Sequence, residues 1–221
     1  MMTNLLEKSK AVLFNFLGKS ETLSDEEQLN DIDTTRFVVL DTETTGFDYT
    51  NDRILCIGAI VLQNNTIPIH DSFEVFIQQE HYDKATAKIH GILKEFILDR
   101  PNELEALQQF LAFLGDSIII AHHTIFDVTM INNALDRNGL PKLTNKTLDT
   151  AVLYKKTLLG SHLLERKDNY SLDELADKFD ISQKDRHTAM GDAYITAIAF
   201  LKILNKLRGK KGRLSLKQLF K

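Results

Sequence analysis

A mixed α/β domain is the fold class that this 221-residue sequence predicts. Apolar runs bounded by turn residues open its central region and follow one another too closely to hold helices between them. Stripes of leucine and methionine at helical spacing come next, alternating with one further apolar run. The length is also sufficient: at this size roughly 70% of the unfolded chain's surface can be buried, so no cross-link or structural metal is needed.

Three regions differ in composition. In residues 1–35, Leu5, Leu6, Val12, Leu13, Phe16 and Leu17 recur near helical spacing and predict a short amphipathic helix. Glu21 to Asp33 then carries six acids and no Lys or Arg, which predicts a solvated linker. Residues 36–205 form the predicted domain, and the tail from Lys206 to Lys221 holds seven Lys/Arg and no acid.

Within the domain, Phe37–Leu40 reads as a strand ending at the turn Thr44-Thr45-Gly46. Arg53–Leu62 is a second strand, Asn64-Asn65 a hairpin turn and Ser72–Ile77 a third strand, so antiparallel neighbours are predicted. Leu104, Leu107, Leu111 and Leu114 form a helical stripe just after Pro101. Ser117–Ala121 is a buried strand. Phe126–Asn138 is a helix with Met130, Ile131, Ala134 and Leu135 on one face, stopped by Gly139. Ser171-Leu172-Asp173-Glu174 is a capping box opening a helix to about Phe179, and a long helix runs from about Thr188 to Leu207.

Composition excludes several classes of protein. The single cysteine, Cys56, sits in an apolar run, which excludes a disulfide framework or a cysteine zinc site and predicts a reducing compartment such as the cytoplasm. No stretch approaches the roughly 18 apolar residues of a spanning helix, and the early run Ala11–Phe14 lacks the features of a signal peptide. The net charge of −4 argues against a nucleic-acid coat protein, but it is unevenly spread. Residues 1–35 contribute −4, the domain −7 and the tail +7.

Three constellations can carry chemistry. In Asp41-Thr42-Glu43-Thr44-Thr45-Gly46 the two carboxylates stand two apart at a strand end, so they share a face. Adjacent anions repel unless a cation lies between them, and oxygen-only ligands favour Mg²⁺ or Mn²⁺ over zinc. Ala121-His122-His123-Thr124-Ile125-Phe126-Asp127 joins a strand to a helix, where α/β folds place ligand groups, with Asp127 in the first helical turn. In His187-Thr188-Ala189-Met190-Gly191-Asp192 a loop histidine and a helical aspartate can converge. Together these supply four carboxylates, the charge that balances two Mg²⁺ ions in phosphoryl transfer. Histidine suits a general base at neutral pH.

These motifs, in this order, resemble the three exonuclease motifs of the DnaQ-like, DEDDh-type 3′–5′ exonucleases, the family of the epsilon proofreading subunit of bacterial DNA polymerase III. Ile89-His90-Gly91-Ile92 is similar to the family's HGI segment, and Ser171–Leu175 to its SLDxL segment. The resemblance covers residues 36–205. It implies an RNase H-like fold, a five-stranded mixed sheet flanked by helices. It implies two divalent ions (Mg²⁺ or Mn²⁺) on Asp41, Glu43, Asp127 and Asp192, and His187 as the base. It also implies that Thr42, Thr44, Gly46 and Phe47 lie near the terminal nucleotide, with His90 beside the substrate.

The expected activity is hydrolysis at the 3′ end of single-stranded or frayed DNA, releasing nucleoside 5′-monophosphates in proofreading or repair. Trimming of RNA 3′ ends and a polymerase-associated binding module are the alternatives. The second motif departs from the usual AHNAxFD at His123 and Thr124, which bears on substrate contacts from that loop rather than on Asp127. The double histidine lacks the further ligands of a zinc site. In the tail, Arg213–Phe220 loosely resembles peptides that bind sliding clamps, and its cations can meet phosphates, so a polymerase or clamp contact is a further expectation.

Overall fold

The two-residue period of a strand decides which side of the sheet each residue of the first strand faces. In the computed structural model, which describes residues 31–68, 70–80, 84–92, 100–158, 167–212 and 214–221, strand β1 is Phe37–Thr44. Phe37 and Val39 face one buried layer, and Val38 and Leu40 the other. The expected N-terminal helix and most of the acidic linker lie outside the described residues.

The strands β2 (Ile54–Leu62) and β3 (Ser72–Phe76) extend the sheet antiparallel to β1, as their close spacing predicts. Asn64 and Asn65 both adopt positive φ in the turn after β2, a conformation asparagine tolerates better than most residues. On the other side, β4 (Ile118–Ala121) and β5 (Thr147–Asp149) add in parallel, giving the order β3-β2-β1-β4-β5. This is the five-stranded mixed sheet expected from the family resemblance.

Helices cover both faces. Helix α1 is Lys84–His90, which follows β3 in the chain. Helices α2 (Glu103–Leu114) and α3 (Ile125–Arg137) bury Leu107, Phe110, Met130, Ile131 and Leu135 against Val38 and Leu40. Helix α2 starts at Asn102, whose side chain accepts the Glu105 N–H at 2.9 Å while Glu105 returns a bond to the Asn102 N–H. The opposite face carries α4 (Thr150–Leu158), α5 (Leu172–Phe179) and α6 (Ala189–Lys211). The Ser171–Glu174 capping box is present in both directions at the start of α5. The Phe200 ring of α6 meets Phe37 edge-on at 5.4 Å.

The last element, α7 (Leu216–Leu219), packs onto the domain. Leu214, Leu216 and Leu219 are buried, and Lys156 Nζ donates to the Leu219 carbonyl at 2.9 Å. Part of the basic tail is also tied down: Arg208 pairs with Asp33, and Lys210 Nζ donates to the Thr157 carbonyl at 2.5 Å.

One glycine sets how closely α6 approaches the sheet. A Cβ on Gly58 of β2 would lie 2.4 Å from the Ala189 carbonyl carbon and 2.5 Å from the Met190 nitrogen. These are backbone atoms in the first turn of α6, so no side-chain rotation relieves the clash. Gly58→Ala is therefore expected to destabilise the fold by about 1–3 kcal/mol and to shift the helix start that carries Asp192. Thermal melting checks the first effect. An unchanged melting temperature would show that the helix can ride up at no cost.

Candidate active site

The odd-numbered positions at the end of β1 face the α6 side of the sheet, so alternation brings Asp41 and Glu43 toward that helix. The pairing of β1 with β2 is irregular between Glu43 and Thr44, at the point where the strand leaves the ladder. Asp192 lies in the first turn of α6, whose cap Thr188 accepts the Gly191 N–H at 3.0 Å. Oxygens of Asp41, Glu43 and Asp192 come within 4.8 Å of one another. These three are the expected ligands that the fold gathers into one tight group.

Asp127 enters from the other side. It lies in the first turn of α3 and is buried, and its Oδ1 accepts the Thr42 N–H at 3.0 Å and the Thr42 hydroxyl at 2.8 Å. Thr42, an even-numbered β1 residue, faces α3, and its hydroxyl is used to hold this carboxylate. The β4 to α3 connection that delivers Asp127 leaves the carboxyl end of β4, beside the parallel strand β1.

The electrostatics show what kind of partner the carboxylates favour. Burial first, then the neighbouring carboxylates Asp127, Asp192 and Glu43, push the Asp41 carboxyl well above its usual range. Burial and Asp192 raise Glu43 to about 7. Burial raises Asp127 to about 7 against the opposing Thr42 hydrogen bonds, and burial also raises Asp192. An oxygen-only cluster that resists ionising without added positive charge is the donor set of a hard divalent cation, so the residues fit Mg²⁺ or Mn²⁺.

His187 sits at the rim, exposed, in the loop before α6. Its backbone adopts φ +65°, uncommon for a non-glycine residue, and its N–H points to Asp192 Oδ1 at 3.4 Å. His90 closes α1 at the edge of a cavity of about 320 Å³ that Glu43, Phe76 and Arg100 also line. Its Nδ1 accepts the Ile92 N–H at 3.0 Å, which leaves the proton of the neutral ring on Nε2. That Nε2 is buried without a hydrogen-bond partner among the described residues. Burial also lowers the His90 pKa, which disfavours the charged ring.

The remaining expected contacts are placed as follows. Thr44 gives its hydroxyl to the Gly46 carbonyl at 2.7 Å. The space above Gly46 is taken by the Asp52 carboxylate, which a Cβ there would meet at 2.4 Å. Phe47 is 80% exposed, its ring 5.6 Å from that of Phe126.

Three further supports carry little signal in the sequence. Arg186 forms ion pairs with Asp192, through Nη1, and with Asp173, through Nε at 2.5 Å. Its only sequence signal was its place beside His187. Asp149, at the end of β5, accepts the Thr124 N–H at 3.1 Å and the Ala151 N–H at 2.8 Å, tying the second motif's loop to α4. His122 bridges the same loop to α4 and to the segment before α5. Its Nε2 donates to the Tyr170 carbonyl and its Nδ1 accepts from the Thr150 hydroxyl, both at 2.9 Å. Burial, then His123, lowers its pKa to about 4. His122 is thus a neutral tether rather than a ligand. His123 takes a positive φ of 60°, the conformation that asparagine, the family's usual residue there, adopts readily.

Comparison with known proteins matches this fold and these motifs. DNA polymerase III subunit epsilon of Aquifex aeolicus is 31% identical over 177 residues, which cover 80% of this chain and 84% of that protein. DNA polymerase III PolC-type of Caldanaerobacter subterraneus is 37% identical over 173 residues, 78% of this chain but 12% of that protein. Two solved structures share the fold. One is E. coli Exonuclease I in complex with a dT13 oligonucleotide, with a TM-score of 0.67 and 18% identity over 80% of this chain and 42% of that one. The other is Exonuclease X in complex with 5′ overhanging duplex DNA, with a TM-score of 0.61 and 19% identity over 84% of this chain and 97% of that one. The family described as Exonuclease (RNase T) matches residues 38–200, the whole span from β1 to the middle of α6, and the chain belongs to it, among the DnaQ-like members that its three motifs resemble.

Proposed function

We propose that this chain is a metal-dependent 3′–5′ exonuclease that removes nucleoside 5′-monophosphates from single-stranded or frayed DNA ends, in proofreading or repair. The observation that carries the reading is the convergence of Asp41, Glu43 and Asp192 within 4.8 Å, with Asp127 anchored beside them. The likeness to a polymerase III epsilon subunit supports DNA as the substrate.

In this reading Asp41, Glu43, Asp127 and Asp192 would hold two Mg²⁺ or Mn²⁺ ions. Bound there, the ions would supply positive charge for activating a water and for stabilising the leaving 3′ oxygen. His187 takes the proton from that water, and its exposure lets the proton pass to solvent. His90, which lines the cavity with Glu43, stands beside the terminal nucleotide. Phe47 offers an exposed ring for stacking or wedging against a base, while Thr42, Thr44 and Gly46 shape the backbone beneath it. A polymerase or sliding-clamp contact through the tail would fall to Phe220, 40% exposed, because Leu214, Leu216 and Leu219 are buried in the chain's own core.

The test is digestion of matched 5′-labelled oligonucleotides: single-stranded DNA, duplex with a 3′ mismatch, blunt duplex and RNA. With Mg²⁺, stepwise shortening and nucleoside 5′-monophosphate release are expected, faster on the single-stranded and mismatched ends than on the blunt one. RNA shortened while DNA stays intact would overturn the substrate assignment. No release from any of the four would overturn the enzymatic one.

A further inference from the structure

The carboxylate cluster already has one positive neighbour. Arg186 is four-fifths buried and spans two carboxylates, Asp192 in the cluster and Asp173 at the start of α5. Its charge opposes the upward shift of Asp41, Glu43 and Asp192, so it acts on the group as a whole. The two partners differ in surroundings. Asp192 is 7% exposed in its side chain, whereas Asp173 is 50% exposed and lies outside the cluster.

Resting on the reading of Asp41, Glu43 and Asp192 as metal ligands, the geometry points to Arg186 as a resident counter-ion that competes with the divalent cation for Asp192 and so sets the site's metal affinity. Nη1 occupies Asp192 Oδ2, one of the two oxygens that this carboxylate has to offer a cation within the cluster. A guanidinium cannot be neutralised by losing a proton near neutral pH, so it must move to release that oxygen. Asp173 gives it somewhere to stay. With Nε still held there, the side chain releases Asp192 without being cast into solvent. Arg186 is thereby a positioning residue, fixing Asp192 in the absence of metal and yielding it on binding.

Direct titration of Mn²⁺ into the full-length, DNA-free protein tests this, by calorimetry or by the spin-resonance signal of free Mn²⁺. Removing the competitor in Arg186→Gln is expected to tighten Mn²⁺ binding about three- to tenfold, the order of one partly exposed charged hydrogen bond. Asp173→Asn cuts the outer tether, leaves Arg186 wholly to Asp192 and is expected to weaken binding about twofold or more. The double variant should match Arg186→Gln, because Asp173 acts only through the arginine. Lys184→Gln removes an exposed charge two residues away and should change affinity less than twofold.

Arg186→Lys serves if the glutamine variant folds poorly. One ammonium cannot bridge both carboxylates as the fork does, so binding tighter than wild type is again expected. Unchanged or weaker binding in Arg186→Gln, or in Arg186→Lys where that variant is needed, overturns the assignment. So does a Lys184→Gln effect as large, since net charge alone would then explain it. Wild-type protein that binds no Mn²⁺ at all would instead overturn the metal-site reading, and this role with it.

Discussion

Asp41→Asn is expected to lower 3′-end hydrolysis by at least about 10³-fold while making the metal-free protein more stable. Both effects have one cause. The Asp41 carboxyl is held well above its usual pKa by burial and by three neighbouring carboxylates, so its ionised form is costly to the fold. An amide keeps the shape and removes the charge, relieving repulsion by an amount of order 1 kcal/mol. The same change deletes a metal ligand. Asp192→Asn should abolish activity as completely, but with a smaller gain in stability. Asp192 is the carboxylate that Arg186 already neutralises, and the amide would forfeit that ion pair. Activity on single-stranded DNA and thermal melting in EDTA check the two halves. Near wild-type turnover in either variant would remove the carboxylates from the mechanism.

Withdrawing divalent cations should stop turnover altogether and change how stability depends on pH. Glu43 and Asp127 stand at about 7 in the folded chain, against the ordinary values of 4.5 and 3.8. The folded protein therefore holds protons that the unfolded chain has already released. Stability from these groups is full below their unfolded values and is lost as pH rises through about 7. His122 works in the opposite sense: its pKa is lowered from 6.5 to about 4, so its contribution is present above 6.5 and lost as pH falls toward 4. The carboxylate effect is cleanest between about pH 6.5 and 8, where metal-free protein should melt at falling temperatures. With excess Mg²⁺ the cluster binds ionised, so the decline should flatten and activity return. A melting temperature in EDTA that stays level or rises across that window would contradict the electrostatic picture of the site.

Much of the architecture was legible because period and punctuation agree. The apolar run of β1, the Asn64-Asn65 turn, the Ser171–Glu174 box and helix α2 each carry a local physical signal and lie where the sequence predicts, although Leu104 of the α2 stripe is exposed and Phe110 packs in the core with Leu107. The elements that escaped carry weak local signals. Strand β5 has three residues and exists because β4 presents an unpaired edge to it. Helix α4 begins on Asp149 as a cap rather than on a sequence-evident motif. Helix α6 runs on to Lys211, past the predicted end at Leu207, because Leu207 is still buried and the Lys210 side chain reaches back to α4.

The kind of chemistry is legible in short stretches of the chain. Acid spacing on a strand end and at two helix starts, with a histidine five residues before the last aspartate, requires only local geometry to read. How those groups divide follows from the packing of separate elements. Two faces of one strand send Asp41 and Glu43 toward α6 and Thr42 toward Asp127, so three carboxylates cluster while the fourth is anchored from behind. That packing also places Arg186 between Asp173 and Asp192, a pairing across thirteen residues of helix and loop that no local pattern encodes. Strand and helix periods act over a few residues, whereas the balance of charge in a buried site depends on which separate elements meet there.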